Sequence, residues 1–354
     1  MRLFCDNIKA PHHKESFSMS QDLISVIIPV YKAAAYILDR SFSILNQTYP
    51  NLEFIFVDDC SPDNTWQKLQ ELKAAHLDKN IIIYHNEQNL GAGPTRNKGF
   101  ELSSGKYVYF ADADDEPNTN LLQMAYNKFE QDGSDMVIFA YQHIIDGNCK
   151  NYPLHKEILA ANEIEEQQKF ALDVPFAPWS KVVRKSLLEQ HNIIFSDIRS
   201  GQDFCWTLQL MCCAKKISFI NDYLYKYIDT ANSLSSGKHA LCMVECFKFN
   251  KSTLQKFDKY ELLSEKLFLH LVDTYLKYWP RINQEQKHAL AAEFFSLPES
   301  QSLEKELQGF SLLEHFPIYK IIPKFLQQAR ELRKTRYKKY SLLKAVLNTK
   351  SFSK

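Results

Sequence analysis

The sequence predicts an α/β protein with a mostly parallel central sheet flanked by helices. Three observations support this prediction. Apolar, β-branched runs alternate with segments of helical spacing between residues 24 and 144, which is the pattern of repeated β-α-β units. The strand-like runs end in polar or acidic residues, as strands do at the ligand-binding edge of such sheets. From residue 239 to about residue 315 helical spacing dominates, and it predicts a helical C-terminal subdomain.

The first half of the chain contains the predicted elements in a regular order. Five predicted strands share apolar, β-branched residues and lie at residues 24–30, 51–59, 81–86, 106–115 and 135–144. The helices predicted between them from the spacing of apolar residues lie at 36–48, 63–75 and 93–104. The stretch 146–168 is polar, and we predict irregular structure there before order resumes at residue 175.

Composition places the chain among ordinary globular proteins. It has 354 residues, of which 45% are hydrophobic and 24% charged, with a formal net charge of +1. This balance excludes a disordered chain, and it gives no bulk positive field that would attract nucleic acid, so we expect no nucleic-acid partner. We predict a disordered lead over residues 1–20, a main domain over 21–236 and a helical region with a basic tail over 237–354.

The cysteines and the apolar segments bear on the compartment. Eight cysteines are scattered without a paired framework, which favours reduced thiols and a cytoplasmic location. The N-terminus lacks an apolar signal segment, and no stretch reaches the roughly 18 apolar residues of a membrane span. The tail from Lys324 onward is rich in lysine and arginine. It is either a solvated helix face or an amphipathic helix that binds an anionic membrane surface, and we favour the second, with peripheral attachment to the inner face of the cytoplasmic membrane.

The strongest chemical feature is the segment YVYFADADDEP, in which an apolar strand ends in Asp112, Asp114 and Asp115. Carboxylates this close repel one another unless a cation lies among them. Mg²⁺ and Mn²⁺ commonly bind through one or two carboxylates while substrate phosphates complete the shell. A solvated acidic turn that caps the next helix is the alternative interpretation.

Two weaker features lie at neighbouring strand ends. Asp58 and Asp59 follow the second strand, where a carboxylate can accept a hydrogen bond from a uracil N3–H or a ribose hydroxyl. The glycine-rich segment NLGAGPTRN starts a helix and carries Arg96, and such a turn lets backbone N–H groups approach a phosphate. A plain helix N-terminus explains this segment equally well.

Together, the segments ISVIIPVYKAAAYI, SILNQTYPNLEFIFVDDCSPDNT, NLGAGPTRNKG and GKYVYFADADD resemble, in order and spacing, the pattern of family 2 glycosyltransferases. The resemblance is close over residues 25–135 and looser over residues 178–229. It implies a GT-A, Rossmann-like fold with a nucleotide-sugar half at about 24–140 and an acceptor half at about 170–236. It also implies an enzyme that transfers a sugar with inversion, assisted by Mn²⁺ or Mg²⁺.

The resemblance implies specific roles at the first two strand ends. Pro29, Val30 and Tyr31 would line the pocket for the nucleotide base. Asp59 would contact the uridine, and Asp58 would lie beside it.

At the later strand ends, the resemblance implies contacts with the rest of the nucleotide sugar. Arg96 would approach the ribose or the diphosphate. Asp112 would lie near the ribose and Asp114 would ligate the metal. Asp115 would lie close to the sugar, and Ala113 would belong to the same nucleotide-sugar-binding segment.

On the acceptor side, an inverting transfer needs a general base that deprotonates the attacking hydroxyl. In the resembled family this base is commonly the aspartate of a Glu-Asp pair, and the matching residues here are Gln202 and Asp203. Asp203 is therefore the candidate base, although a glutamine removes a negative charge that would help to raise the pKa of its neighbour. The alternative is that Asp203 only caps the helix. Trp179 and Lys181 match an acceptor-side W-x-K element, in which the indole either stacks on a sugar ring or belongs to the core.

The function expected from these features is transfer of one hexose from a nucleotide sugar, most simply a UDP-hexose. The acceptor would be a sugar of a bacterial surface glycan such as lipopolysaccharide, capsule or a lipid-linked oligosaccharide. A catalytically silent nucleotide-sugar-binding or scaffold subunit is the alternative, and it is motivated by Gln202 standing where an acid is usual.

Overall fold

The computed structural model describes residues 21–228, 242–278 and 283–298. Within these ranges the strands are β1 (Ile24–Val30), β2 (Leu52–Asp58), β3 (Asn80–His85), β4 (Tyr107–Phe110), β5 (Glu116–Pro117), β6 (Met136–Ile145), β7 (Asn148–Tyr152), β8 (Lys181–Arg184) and β9 (Ile217–Ile228). The helices of the main domain are α1 (Ile37–Leu45), α2 (Thr65–Ala75), α3 (Ala92–Leu102), α4 (Leu121–Asp132), α5 (Lys156–Ala160), α6 (Ile164–Gln168), α7 (Lys185–His191) and α8 (Gln202–Cys213). A single 3₁₀ turn covers Pro178–Ser180, and α9 (Cys242–Lys256), α10 (Tyr260–Tyr278) and α11 (Gln284–Ser296) follow.

The strands form one mixed sheet in the order β3-β2-β1-β4-β8-β6-β9-β5, and β7 pairs with β6 outside this path. The predicted parallel arrangement holds for β3-β2-β1-β4 and for β6 with β9. Strand β8 lies antiparallel between β4 and β6, and β5 and β7 also pair antiparallel, so the sheet is mixed, although six of its nine described strands run in the same direction. Because β8 is antiparallel to both β4 and β6, those two strands point the same way. The carboxyl ends of β1, β2, β3, β4, β6 and β9 therefore meet at one edge.

Element bounds agree with the sequence for β1 to β3 and for α1 to α3, but two predictions need correction. The strand predicted over 106–115 ends at Phe110, so the acidic residues lie in a turn that follows it. The stretch 146–168, predicted to be irregular, contains β7, α5 and α6. Strand β7 is almost wholly exposed, and the two helices have five residues each, so none of them shows the apolar periodicity from which elements are predicted.

The sheet separates two apolar clusters. Ile27 of β1 belongs to one cluster, whereas its neighbours Val26 and Ile28 belong to the other, because successive side chains of a strand point to opposite faces. Helix α3 lies directly on β1, where a Cβ at Gly99 would collide with the Ile27 side chain. This close packing fixes the N-terminal turn of α3 over the edge of the sheet where the strands end.

The described C-terminal residues are helical, as predicted. Met243, Val244 and Phe247 of α9 are buried in the same apolar cluster as residues of β4 and β6, so this helix packs directly on the core of the main domain. Among the described residues, no helix is long and apolar enough to cross a membrane. The lead over residues 1–20 and the basic tail from Lys324 lie outside the residues that the structure describes.

Candidate active site

The residues predicted to line a base pocket lie at the carboxyl end of β1. Pro29 is half-buried, Val30 is buried and Tyr31 is 44% exposed. The backbone N–H of Asp59 donates to the Val30 carbonyl at 2.8 Å, so the loops after β1 and β2 continue side by side. The structure thus brings the first two strand ends together as the sequence predicts, with Tyr31 facing outward.

Asp58 and Asp59 are buried and bond within the protein. The Nδ1 atom of His85 lies 2.7 Å from Asp58 Oδ2. Asp59 accepts from the backbone N–H groups of Leu90 at 2.9 Å and Gly91 at 2.8 Å. Gly91 has a φ of 91°, which favours glycine, and the Asp59 carboxylate holds this turn in place. The contact of Asp59 with a uridine stays a prediction, while its observed contacts shape the glycine-rich turn.

Two residues that the sequence did not single out belong to this edge. His85, whose side chain is 39% exposed, is the outward member of its pair with Asp58, and its ring lies 5.2 Å from that of Trp66. Burial raises the pKa of Tyr36 to about 12, and the nearby Asp114 adds to this shift. The signal for His85 was its position at the end of the third strand, in register with Asp58. Tyr36 carried no comparable signal.

The acidic turn after β4 divides into exposed and buried carboxylates. Asp112 and Asp114 are partly exposed, whereas Asp115 is fully buried. Asp115 accepts from the Tyr225 hydroxyl at 2.9 Å and from the Ile228 N–H at 2.8 Å. Burial raises the pKa of Asp115 to about 9, and the charges of Asp112 and Asp114 add to it. Asp115 ties the acidic turn to β9 through these two hydrogen bonds, and Ala113 is also buried beside it.

A divalent metal would find a partial ligand set at this turn. Within the described ranges, no three His, Cys, Asp or Glu side chains converge into a ready-made metal site. Asp112 and Asp114 nonetheless keep exposed surface, and both raise the pKa of Asp115, so the turn carries an excess of negative charge. One or two carboxylates suit a metal that completes its shell with waters and substrate phosphates. The ligand chemistry thus fits Mg²⁺ or Mn²⁺, and Asp114 as the ligand stays a prediction.

Arg96 joins the acidic turn to helix α8. Its Nη2 lies 2.8 Å from Asp112 Oδ1 and its Nη1 lies 3.1 Å from Asp203 Oδ1. The guanidinium packs over the ring of Phe195 at 5.4 Å and is almost fully buried. Burial alone would lower the pKa of Arg96, but Asp203 and Asp112 raise it, so the group remains charged. The contact of Arg96 with ribose or diphosphate stays a prediction. In the structure, the Arg96 guanidinium links Asp112 of the acidic turn to Asp203 of α8.

Asp203 lies in the first turn of α8, which begins after Gly201 with a φ of 94°. Its side chain is 37% exposed, with Oδ1 bonded to Arg96 rather than to the helix backbone. Burial raises the pKa of Asp203 and Asp112 adds to this, whereas Arg96 and Lys181 oppose it; the net shift is upward. A partly exposed carboxylate with a raised pKa suits a general base better than a helix cap.

Gln202 does not take part in tuning Asp203. It is buried, and a Cβ on Gly93 would lie 3.4 Å from Gln202 Cγ, which places the side chain beneath the first turn of α3. Its Oε1 has no hydrogen-bond partner among the described residues. An acid at this position would bury an unpaired charge in the same surroundings. The glutamine is thus compatible with the site, and the charges that act on Asp203 come from other residues.

Trp179 and Lys181, predicted on the acceptor side, are internal. Trp179 is buried and stacks on Tyr225 at 4.3 Å, which favours the core interpretation over stacking on a sugar. Lys181 is fully buried, and its Nζ donates to the carbonyls of Pro175 at 2.9 Å and Ala177 at 2.7 Å, and to Thr207 Oγ1 at 3.3 Å. Lys181 thus holds the 175–180 loop, and neither buried side chain presents the open surface that contact with an acceptor sugar would need.

Replacing Lys181 with methionine should lower the free energy of unfolding by about 2–4 kcal/mol, because the carbonyls that its Nζ bonds would lose their buried donor. Urea unfolding followed by circular dichroism measures this loss. Lys215→Met, at an exposed lysine, is the control and should stay within about 0.5 kcal/mol of the parent. Equal stabilities of the two variants would show that the Lys181 contacts contribute nothing.

Relatives found by comparison with known proteins are named as glycosyltransferases. The model for "Glycosyl transferase family 2" matches residues 25–191. Glycosyltransferase GlyG of Streptococcus pneumoniae is 31% identical over 223 residues, which cover 60% of this chain and 73% of that protein. The putative teichuronic acid biosynthesis glycosyltransferase TuaG of Bacillus subtilis is 32% identical over 218 residues, covering 61% of this chain and 82% of that protein.

Solved structures share the fold. S. aureus TarS 1-349 in complex with UDP has a TM-score of 0.59 at 20% identity, covering 89% of this chain and 92% of that one. The mannosyltransferase PcManGT from Pyrobaculum calidifontis, in complex with GDP-Man and Mn²⁺, has a TM-score of 0.50 at 16% identity, covering 86% and 84%. These likenesses confirm the GT-A type of fold that the sequence motifs implied, with the mixed sheet described above.

Proposed function

The chain belongs to glycosyl transferase family 2 and is a glycosyltransferase, and on that premise we propose that it moves a hexose from a UDP-sugar, with inversion, onto a sugar of a bacterial surface glycan. The observation that carries the proposal is Asp203, a partly exposed carboxylate that Arg96 ties to the acidic turn. A single displacement requires a general base close to the bound donor, and the pairing of Arg96 with both Asp203 and Asp112 supports that arrangement.

The proposed chemical step uses Asp203 directly. Oδ1 of Asp203 is held by Arg96, which leaves Oδ2 to accept the proton of an acceptor hydroxyl. The acceptor oxygen then forms the new bond to the anomeric carbon as the bond to the diphosphate breaks. The raised pKa of Asp203 makes it a stronger base than an ordinary carboxylate. A metal bound at Asp114, when present, would supply positive charge for the departing diphosphate.

The choice of donor and acceptor is supported by relatives. TarS has been solved with UDP and with UDP-GlcNAc, and PcManGT with GDP-Man and Mn²⁺. TuaG is named as a putative teichuronic acid biosynthesis glycosyltransferase. We favour a UDP-sugar and a glycan acceptor on this basis, and GDP-mannose is the natural competitor in a donor screen.

The proposed donor and acceptor also suggest where the enzyme works. Nucleotide sugars are cytoplasmic and lipid-linked acceptors lie at the membrane, so the proposed site of action is the inner face of the cytoplasmic membrane. The basic tail from Lys324 would bind anionic lipid there. Truncation before Lys324 should release the protein from phosphatidylglycerol vesicles in a sedimentation assay. Failure of the intact chain to sediment with them would refute this part of the proposal.

The test of the function is nucleotide release from a panel of UDP-sugars and GDP-mannose, with Mn²⁺ and glycan acceptors. We expect release with at least one UDP-sugar, and a higher rate when an acceptor is added. A silent scaffold subunit would bind a nucleotide without releasing it from any sugar. That outcome, with binding confirmed by calorimetry, would replace the proposed activity by the scaffold alternative.

Arg96→Gln should move the acidic limb of the rate against pH to higher pH, because Arg96 lowers the pKa of Asp203 and its removal lets burial and Asp112 raise that pKa further. Arg96→Lys keeps a positive charge and should restore part of the shift. The measurement is kcat/KM for the acceptor between pH 5 and about pH 9. A limb that stays in place in Arg96→Gln would show that Asp203 is not the titrating base.

A further inference from the structure

A set of half-buried rings lines the sheet beyond the acidic turn. Tyr141 and His143 of β6 lie on the same face, because they are two residues apart in one strand. Tyr152 of β7 pairs in register with Tyr141, and Tyr227 of β9 pairs with His143. We call these four residues the aromatic strip. It lies at the carboxyl edge of the sheet, where β6 and β9 continue beyond the end of β4.

The rings of the aromatic strip are in mutual contact. Tyr141 and Tyr152 are stacked with their centroids 4.8 Å apart and their planes at 5°. His143 lies 4.6 Å from Tyr227 and 6.2 Å from Tyr152. All four side chains retain part of their surface, in contrast to the buried Trp179 beneath them. The strip is thus an ordered surface of rings rather than part of the core.

Trp179 connects the aromatic strip to the candidate active site. Its ring contacts Tyr141 at 4.9 Å and Tyr227 at 5.8 Å on one side, and it stacks on Tyr225 at 4.3 Å. The Tyr225 hydroxyl donates to Asp115 in the acidic turn. Tyr227 lies two residues further along β9, which is a distance of about 7 Å. The strip therefore begins at the catalytic edge and leads away from it.

The chemistry of the strip suits a sugar. Tyrosine and histidine each combine an apolar ring with a polar tip, and a hexose combines an apolar C–H face with hydroxyl groups around its rim. We propose that the aromatic strip is a subsite for the acceptor glycan, which binds a sugar one or two units away from the reacting hydroxyl. This inference rests on the proposed function, since it names the part of the acceptor that the same site would hold.

The test compares a monosaccharide acceptor with an oligosaccharide acceptor that carries the same reacting sugar. Removing one ring in Tyr152→Ala should lower the ratio of oligosaccharide to monosaccharide kcat/KM about three- to tenfold, the range that a single aromatic contact contributes. Tyr152→Leu keeps apolar volume without the ring and should show the same fall if the variant is folded. Tyr223→Ala removes an exposed tyrosine of β9 that pairs with Ala140 instead, and it should leave the ratio unchanged.

The outcomes separate the subsite from the function. An unchanged ratio in folded Tyr152→Ala and Tyr152→Leu, with turnover intact, would overturn the subsite and leave the proposed function standing. Absence of turnover in the parent chain would instead count against the proposed function. In that case, NMR titration of the oligosaccharide against the parent and Tyr152→Ala, without a donor, still decides the subsite. Weaker binding in the variant would support it, and equal binding would overturn it.

Discussion

Asp203→Asn should lower the acceptor-dependent rate by about 10²- to 10⁴-fold, which is the contribution that a positioned general base makes to proton transfer. Asparagine preserves the shape of the side chain and can still accept from Arg96, so the loss isolates the proton acceptor. The carboxylate of Asp203 lies outside the acidic turn, and the variant should therefore keep its affinity for UDP. Acceptor-dependent release of UDP measures the rate, and calorimetry measures the affinity.

The matched control for Asp203 is Asp197→Asn, which makes the same change of charge at an exposed aspartate just before α8. Its rate should stay close to that of the parent. If Asp203→Asn kept most of its activity, as the control should, another group would be the base. Thermal unfolding of both variants shows whether a lower rate of Asp203→Asn comes from loss of the base or from a fold destabilised by disturbing the Arg96–Asp203 pair.

Asp114→Ala should abolish the part of UDP binding that depends on Mn²⁺, a weakening of about a hundredfold or more, since a metal that bridges a carboxylate and a diphosphate contributes several kcal/mol. Asp114 keeps exposed surface at the turn, whereas Asp115 is buried and bonded to Tyr225 and the Ile228 N–H. Calorimetric titration of UDP with and without Mn²⁺ gives the affinity. Adding EDTA to the parent chain should reproduce the affinity of the variant.

The control for the metal prediction is Asp222→Ala, an exposed aspartate on β9 away from the acidic turn. It should bind UDP with Mn²⁺ as the parent does. Undiminished Mn²⁺-dependent binding in Asp114→Ala would remove Asp114 from the ligand set. Binding of equal strength with and without Mn²⁺ in the parent would show that the metal does not contribute at all.

Much of the donor edge could be predicted because its signals are local. An apolar run followed at once by acids indicates that a strand ends nearby, and in the structure β2 ends at Asp58 while β4 ends two residues before Asp112. The direction of β8 could not be predicted, because a four-residue strand does not reveal whether it pairs parallel or antiparallel. The mixed character of the sheet comes from β8 together with the antiparallel β5 and β7.

The roles of individual carboxylates depended on partners that are distant in sequence. Asp115 is buried by Tyr225 and Ile228, more than a hundred residues away, so its proximity to a sugar could not be judged from the motif. The pairing of Arg96 with Asp203 spans a comparable separation. The lysine of the W-x-K element was predicted to contact the acceptor. Its burial could not be predicted, because it depends on the loop whose carbonyls its Nζ bonds. Such contacts arise from the tertiary fold, and no local pattern encodes them.

The central claim is that Asp203 acts as the base of a single displacement, and the anomeric configuration of the product tests it most directly. A donor whose sugar is α-linked to the diphosphate should yield a β-linked product, identified by the coupling constant of the anomeric proton in the NMR spectrum. An α-linked product would contradict the account. Retention excludes a single direct attack by an acceptor hydroxyl that Asp203 deprotonates.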